Sequence, residues 1–326
     1  MSGTDIVPML PGDERPEMTQ ASLRRPRDYN NDLINVPAMW ARTKGAGARV
    51  VVLDTGMPLH GDLSVMGARS FVEGYLEDAQ GHATAVGSVL AGTGGKQGKG
   101  VTGVAPEADV WYGAVLNGSG AGSMSAVADG IKWAVDEVGA DVVNLSLGVA
   151  NAFGCDPSVE DACAYARECG TLLVAAAGND ASAVNWPAAL DTVAAVAAVD
   201  RGLRPASFSA RGPEVEFAAG GVSVVTAYKG GGYAVLSGTS FSAPVVSGIA
   251  ALIVADMKSR GEEPSPDSVL DAIRGISVDV WDAGRDDRTG WGIPVFTKSG
   301  NVLKPAKPGL LGRIGNWLWR VIGWRL

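Results

Sequence analysis

The stretch RVVVLDTG at residues 49–56 is a run of valines and a leucine that breaks off at Asp54, just ahead of a glycine turn. Its apolar residues show no alternation, the pattern of a strand covered on both faces by helices. Similar short runs recur at DVWYGAVL (109–116), DVVNLSLG (141–148) and TLLVAAAGN (171–179). Between them lie helical patterns at HATAVGSVLAG (82–92), MSAVADGIKWAVDEVG (124–139) and SVEDACAYARECG (158–170). Strand and helix in alternation predict an α/β fold: a mostly parallel sheet with crossover helices on both faces, in three layers. Residues 192–236 read as further strands with hairpins, and SAPVVSGIAALIVADMKS (242–259) as a helix apolar nearly all round, hence buried. A helix over 266–274 and a loop ending at TGWG (289–292) follow. In such sheets ligands gather at the carboxyl ends of the strands.

The 326 residues are 46% hydrophobic and 19% charged, enough for one main domain with terminal extensions. A formal charge of −8 excludes a broad nucleic-acid face, because phosphate binding needs clustered Lys and Arg, so no nucleic-acid partner is expected. Residues 1–31 carry Pro8, Pro11, Pro16 and Pro26 without periodicity and read as an extended arm. The folded domain is expected over 32–302. LKPAKPG (303–309) reads as a linker, and 310–326 as an amphipathic basic helix. In that helix Trp317, Trp319 and Trp324 join Arg313, Arg320 and Arg325, a composition suited to peripheral membrane contact or to docking and self-association. The N-terminus lacks a basic start followed by an apolar stretch, so the expected location is cytoplasmic, with membrane-surface association through 310–326. No segment offers the roughly 18 uninterrupted apolar residues of a span. Cys155, Cys163 and Cys169 are an odd set, read as reduced thiols, with a Cys155–Cys163 pair left open for an oxidising compartment and no zinc-site spacing.

Chemistry concentrates in a few places. Asp54 ends the first strand, His82 opens a helix, Ser240 in SGTSFSAP sits where a loop enters the apolar helix, and Asn179 closes a strand. Singly, each has an ordinary explanation: a turn carboxylate, a structural histidine, an N-cap serine, a turn asparagine. Together they meet a chemical need. A hydroxyl is a poor nucleophile near neutral pH and needs a base, and the base needs an acceptor to hold its tautomer.

With the motifs VVVLDTG, GHATAV, GVAP (103–106), NLSLG (144–148), AAAGN (175–179), FSARGP (208–213), GTSFSAP (238–244) and TGWG in order, the chain resembles the subtilisin-like serine proteases over about residues 32–295, closest in style to the intracellular ones. The resemblance implies a subtilisin-like fold and a serine endopeptidase working through an acyl-enzyme. Asp54, His82 and Ser240 are then its triad and Asn179 the oxyanion donor. It also implies extended polypeptide substrates paired with Ser146, Leu147, Gly148 and Val149 on one side and lying against Ala177 and Gly178, with Asn185 as the base of the primary pocket. No cofactor is implied for the chemistry. Asp62 matches a family calcium ligand, but the loop GTGGKQGKG (92–100) has no carboxylate, leaving its carbonyls and Gln97. Residues 1–31, through IVPM (6–9), resemble a brief inhibitory extension. Ala83, Val149, Ala219, Phe241 and Val245 depart from the family pattern without removing a catalytic group. A catalytically silent peptide-binding homologue and a hydrolase of small esters on the same scaffold are the alternatives.

Overall fold

The computed structural model describes residues 29–95 and 98–297. The arm with IVPM (6–9), Gln97, the linker 303–309 and the helix expected at 310–326 lie outside the described residues. Seven strands form the main sheet: β1 (Arg49–Asp54), β2 (Gly67–Ser70), β3 (Asp109–Ala114), β4 (Val142–Leu145), β5 (Leu172–Ala176), β6 (Val193–Val199) and β7 (Val215–Gly220). Their order is β2-β3-β1-β4-β5-β6-β7, and every pair is parallel. β1 therefore sits inside the sheet, and its last residue, Asp54, opens onto the carboxyl-end edge. A separate antiparallel hairpin joins β8 (Val224–Tyr228) to β9 (Gly232–Leu236).

The helices are α1 (Tyr29–Leu33), α2 (Val36–Trp40), α3 (His82–Ala91), α4 (Met124–Trp133), α5 (Pro157–Glu168), α6 (Thr239–Ser259) and α7 (Pro266–Ile276). α3 packs with α6, and α4 with α5. Neighbouring residues of β1 show that these pairs take opposite faces. Asp54 reaches His82 of α3, whereas the Leu53 side chain lies 3.1 Å from where a Cβ on Gly130 of α4 would stand. Successive strand residues point to opposite sides, so the sheet is covered twice, as the unbroken apolar strands require.

α6 is buried from Thr239 to Asp256 and runs beneath β4, β5, β6 and β7. By length and composition it could cross a membrane, yet 94% of its apolar window is buried inside the protein. Its β-branched residues each cost a few tenths of a kcal/mol in helix propensity. Burying one such side chain gains roughly 1.5–3 kcal/mol, so packing decides the conformation.

Several boundaries differ from the sequence reading, three of them with a visible cause. Tyr29 and Asn30 are already buried, and Asn30 Nδ2 donates to the Gly220 carbonyl at 3.1 Å, so packing begins ahead of residue 32. The helix expected through 139 is regular only to Trp133, followed by a π turn over Ala134–Val138 that ends at the left-handed Gly139. The strand read over 141–148 pairs only over Val142–Leu145, and residues 146–148 run on beyond the ladder. All three cysteines are free thiols. Burial, helped by Glu160, pushes Cys155 up to about 11 and, with Cys155 and Glu160 nearby, Cys163 up to about 12, so neither is a nucleophile near neutral pH.

Candidate active site

Asp54 is fully buried, and one carboxylate oxygen accepts the Thr55 N–H at 2.7 Å. Both oxygens accept from His82 Nδ1, at 2.8 and 2.9 Å. A carboxylate can only accept, so Nδ1 carries the proton and Nε2 keeps a lone pair. Nε2 is buried and has no hydrogen-bond partner among the described residues. Burial alone would lower the basicity of this ring, but the Asp54 charge, its hydrogen bond to Nδ1 and the charge of Asp78 outweigh it. The net effect raises the His82 pKa above its ordinary value. The Phe241 ring stands 5.8 Å from the imidazole, centroid to centroid, where the family pattern often has methionine.

Ser240 is the second residue of α6 and fully buried. Its hydroxyl donates to the Ser146 carbonyl at 3.4 Å, and His82 Nε2 is not hydrogen-bonded to it. Such bonds are often long before substrate arrives. The Ser240 carbonyl accepts from Ser146 Oγ at 2.8 Å. Behind it a fully buried relay continues: Asn144 Nδ2 donates to Ser146 Oγ at 2.9 Å, and Ser247 Oγ donates to Asn144 Oδ1 at 2.9 Å. These bonds tie the start of α6 to the end of β4.

Asn179 follows β5. Its Oδ1 accepts the Thr239 N–H at 2.9 Å and the Thr239 hydroxyl at 3.0 Å, which assigns Nδ2 as the donor end of the amide. The same hydroxyl accepts from Gly178 N at 3.2 Å. Thr239 thus orients a side-chain donor beside Ser240.

The segments expected to bind substrate flank this centre. Leu147 and Gly148 run on from the end of β4 beside Ser240, and Gly148 takes part in a β-bridge. The Val149 N–H donates to the Trp186 carbonyl at 2.9 Å and its carbonyl accepts from Trp186 N at 3.0 Å. With both groups engaged, Val149 closes the wall and has no main chain to offer a substrate. Across the cleft, Asn185 N donates to the Ala177 carbonyl at 2.8 Å. Gly178 has φ +127°, and a Cβ there would lie 2.9 Å from Asn185 Nδ2. The Asn185 side chain therefore stands directly behind Gly178, where the floor of a pocket would be.

Asp62 is buried, and its Oδ2 accepts the Val101 N–H at 2.7 Å. A Cβ on Gly95 or Gly100 would stand 2.3 or 2.1 Å from its oxygens, so the loop backbone closes directly onto the carboxylate. Calcium needs six to eight oxygens about 2.3–2.6 Å away. No group of three or more His, Cys, Asp or Glu able to hold a metal occurs among the described residues. Beyond Asp62 the described residues of this loop offer no second carboxylate to such an ion, and Gln97 lies outside them.

This geometry places the chain in a known class. The subtilase family profile matches residues 45–292, and the chain belongs to that family. It is 44% identical to the thermostable alkaline protease of Halalkalibacterium halodurans over 212 residues, covering 64% of this chain and 57% of that protein. It is 42% identical to subtilisin DY of Bacillus licheniformis over 219 residues, 65% of this chain and 78% of that one. It is 36% identical to the minor extracellular protease Epr of Bacillus subtilis over 271 residues, 81% of this chain but only 40% of Epr. The chain spans little more than half the length of the first of these relatives.

Residues that the sequence reading left out are Thr239, Thr55 and Asp78. Each carried a faint signal. Thr239 and Thr55 adjoin the proposed nucleophile and acid, and Asp78 lies four residues ahead of His82, where a carboxylate suits the start of a helix.

Proposed function

We propose that this chain is a serine endopeptidase that hydrolyses extended polypeptides through an acyl-enzyme. The observation that carries the reading is the state of His82: Nδ1 is held by both oxygens of Asp54, and Nε2 has a lone pair in a buried position. Ser240 Oγ attacks the scissile carbonyl carbon while Nε2 takes its proton. The resulting imidazolium is stabilised by Asp54, then gives that proton to the leaving amine as the C–N bond breaks. Asn179 Nδ2 and the Ser240 N–H hold the oxyanion, and water hydrolyses the acyl-enzyme by the same proton route. Substrate backbone pairs with the edge at 146–148, which favours peptides over small esters, since main-chain pairing has no use with an ester. Asn185 behind Gly178 forms the floor of the primary pocket. A Ser240→Ala variant, purified free of host proteases, is expected to fold and to lose both peptide hydrolysis and labelling by an organophosphorus serine probe. Retained hydrolysis would overturn the assignment.

The ends of the chain add two proposals drawn from sequence alone. Residues 1–31 would restrain the enzyme, with IVPM (6–9) laid across the cleft and Pro8, which lacks an N–H and fixes its own φ, holding it in a register that resists cleavage. Deleting residues 1–20 should raise the initial rate; equal rates from the first seconds would dispose of the idea. The segment 310–326, read from its sequence as amphipathic and basic, brings a cytoplasmic enzyme to an anionic membrane surface. Full-length protein should sediment with anionic vesicles and a chain ending at Gly309 should not. If both remain in the supernatant at low salt, 310–326 serves packing or self-association.

A further inference from the structure

Behind the His82–Asp54 pair lies a second buried carboxylate. Asp78 is 8% exposed and accepts four hydrogen bonds. Its Oδ1 takes Thr55 Oγ1 and Gly81 N, both at 2.7 Å, and its Oδ2 takes Thr84 N at 2.7 Å and Thr84 Oγ1 at 2.6 Å. Four short bonds fill the accepting capacity of a carboxylate. Three of the donors belong to the first turn of α3 or the residue just before it; the fourth belongs to the residue after Asp54. Thr55 Oγ1 also accepts the Ala83 N–H at 3.0 Å and lies 3.1 Å from Asp54 Oδ1. One O–H proton serves one acceptor well, and the shorter contact is the one to Asp78.

A helix start is satisfied by a neutral Ser, Thr or Asn about as well as by Asp. A charge kept at this depth costs desolvation free energy that four charge-assisted bonds and the positive end of α3 must offset. Capping alone therefore does not account for a carboxylate here. On the reading of the site as a protease, we propose that Asp78 is a positioning residue for catalysis. Its carboxylate clamps the first turn of α3 to the Asp54–Thr55 strand end, keeps the Thr55 hydroxyl off Asp54, and lends a second negative charge to the imidazolium formed during turnover.

The groups around this carboxylate are few. Asp54 and His82 lie on the catalytic side. Tyr112 of β3 is fully buried beneath α3, and Tyr228 of β8 donates to the Gln80 carbonyl at 3.3 Å. Burial first and Asp78 second raise both phenols, so neither adds charge near neutral pH. Lys229 Nζ donates to the Ala79 carbonyl at 2.9 Å from an exposed position, and Glu77 is exposed beside Asp78 in the chain. Both are solvated and screened, whereas Asp78 acts through a buried path. The same direction appears at His82, where Asp78 adds to the upward pull of Asp54.

The test is Asp78→Asn, which keeps the shape, removes the charge and sets an N–H₂ against donors. In a Ser240→Ala background, His82 is titrated by NMR, with His60, the other of the chain's two histidines, as internal reference. The His82 midpoint should fall by about half a pH unit or more. In the active enzyme the acid limb of kcat/KM should move with it. The kcat should drop roughly tenfold at nearly unchanged KM, as for a slightly misplaced base. A folded Asp78→Asn protein with the wild-type His82 midpoint and acid limb overturns the proposal. If that variant does not fold, Thr55→Val decides: it cuts the clamp, with the Ala83 N–H bond, but leaves the Asp78 charge and its bonds to Gly81 and Thr84, so kcat should fall while the His82 midpoint holds. Wild-type kcat in Thr55→Val would remove the clamp. Failure of the protease reading looks different: the unmodified chain would not cleave peptides, yet the NMR midpoints would still report on Asp78.

Discussion

The chain has two histidines, and each sits with its side chain buried beside an aspartate. At His60, Nδ1 accepts the Asp62 N–H at 3.1 Å and Nε2 meets the Gly232 carbonyl at 3.1 Å. The Asp62 carboxylate stays 3.9 Å away, and Tyr233 packs edge-on at 5.4 Å. At His82 one nitrogen is held by a carboxylate and the other has no partner among the described residues. Main-chain groups on both nitrogens make an imidazole a strut. A carboxylate on one nitrogen and a lone pair on the other make it a base.

The hardest test of that contrast is to remove each ring. His82→Ala is expected to lower kcat by about 10⁵–10⁶, the scale of triad losses in a related subtilisin. His60→Gln should leave kcat/KM within about threefold and cost a few °C of Tm, the effect of losing one or two buried hydrogen bonds. Peptide-anilide kinetics and calorimetry on both variants decide the matter. A His60→Gln enzyme as damaged in kcat as His82→Ala would erase the distinction.

Next in size is the proposed oxyanion donor. Asn179→Ala should lower kcat by about 10²–10³ with KM little changed, a magnitude measured in subtilisin itself. Thr239→Val removes the hydroxyl that fixes the amide but leaves the Thr239 N–H bond to Oδ1, so its loss should be smaller, about tenfold. If Thr239→Val equals Asn179→Ala, the donor depends on Thr239 entirely; if it equals wild type, the hydroxyl has no part in holding Asn179.

The pH dependence follows from the same geometry, and its sign is fixed. Only neutral His82 accepts the serine proton. Its pKa is raised because the Asp54 charge and hydrogen bond, with Asp78, overcome the lowering by burial. Activity should therefore be lost as pH falls through a midpoint above the ordinary histidine value of about 6.5. A kcat/KM profile with its acid limb below that value would contradict the electrostatics drawn from the site.

Much of this was legible in the sequence because the chemistry sits at element boundaries. Asp54 ends an apolar run, Asn179 ends another, and His82 and Ser240 open helices, so pattern and motif coincide. What was not legible depends on partners far along the chain. The bond from Thr239 to Asn179 spans 60 residues, and the bond from Thr55 to Asp78 spans 23. Val149 read as part of the substrate strand because nothing local shows that Trp186 takes both its main-chain groups. Asp62 matched a family calcium ligand only by resemblance, and only the folded loop shows its oxygens enclosed by backbone.

That enclosure gives the smallest expected effect. Asp62 is the carboxylate beside His60, and in place of a cation its Oδ2 has the Val101 N–H at 2.7 Å. The nearby Tyr233 phenol is pushed up to about 12, first by burial and then by the Asp62 charge. The Asp62 carbonyl is engaged too, accepting Thr93 N at 2.7 Å and Thr93 Oγ1 at 3.0 Å. A calcium ion here would have to displace N–H donors and find five or more further oxygens on a loop that carries Lys99. An ion bound with a hundredfold excess over its Kd would stabilise the fold by about 2.7 kcal/mol, a shift of several °C that calorimetry reads easily. The expectation is that Tm with excess chelator stays within about 1 °C of Tm with millimolar calcium. A drop of several degrees, restored by calcium and abolished by Asp62→Asn, would show that this loop opens to a cation after all.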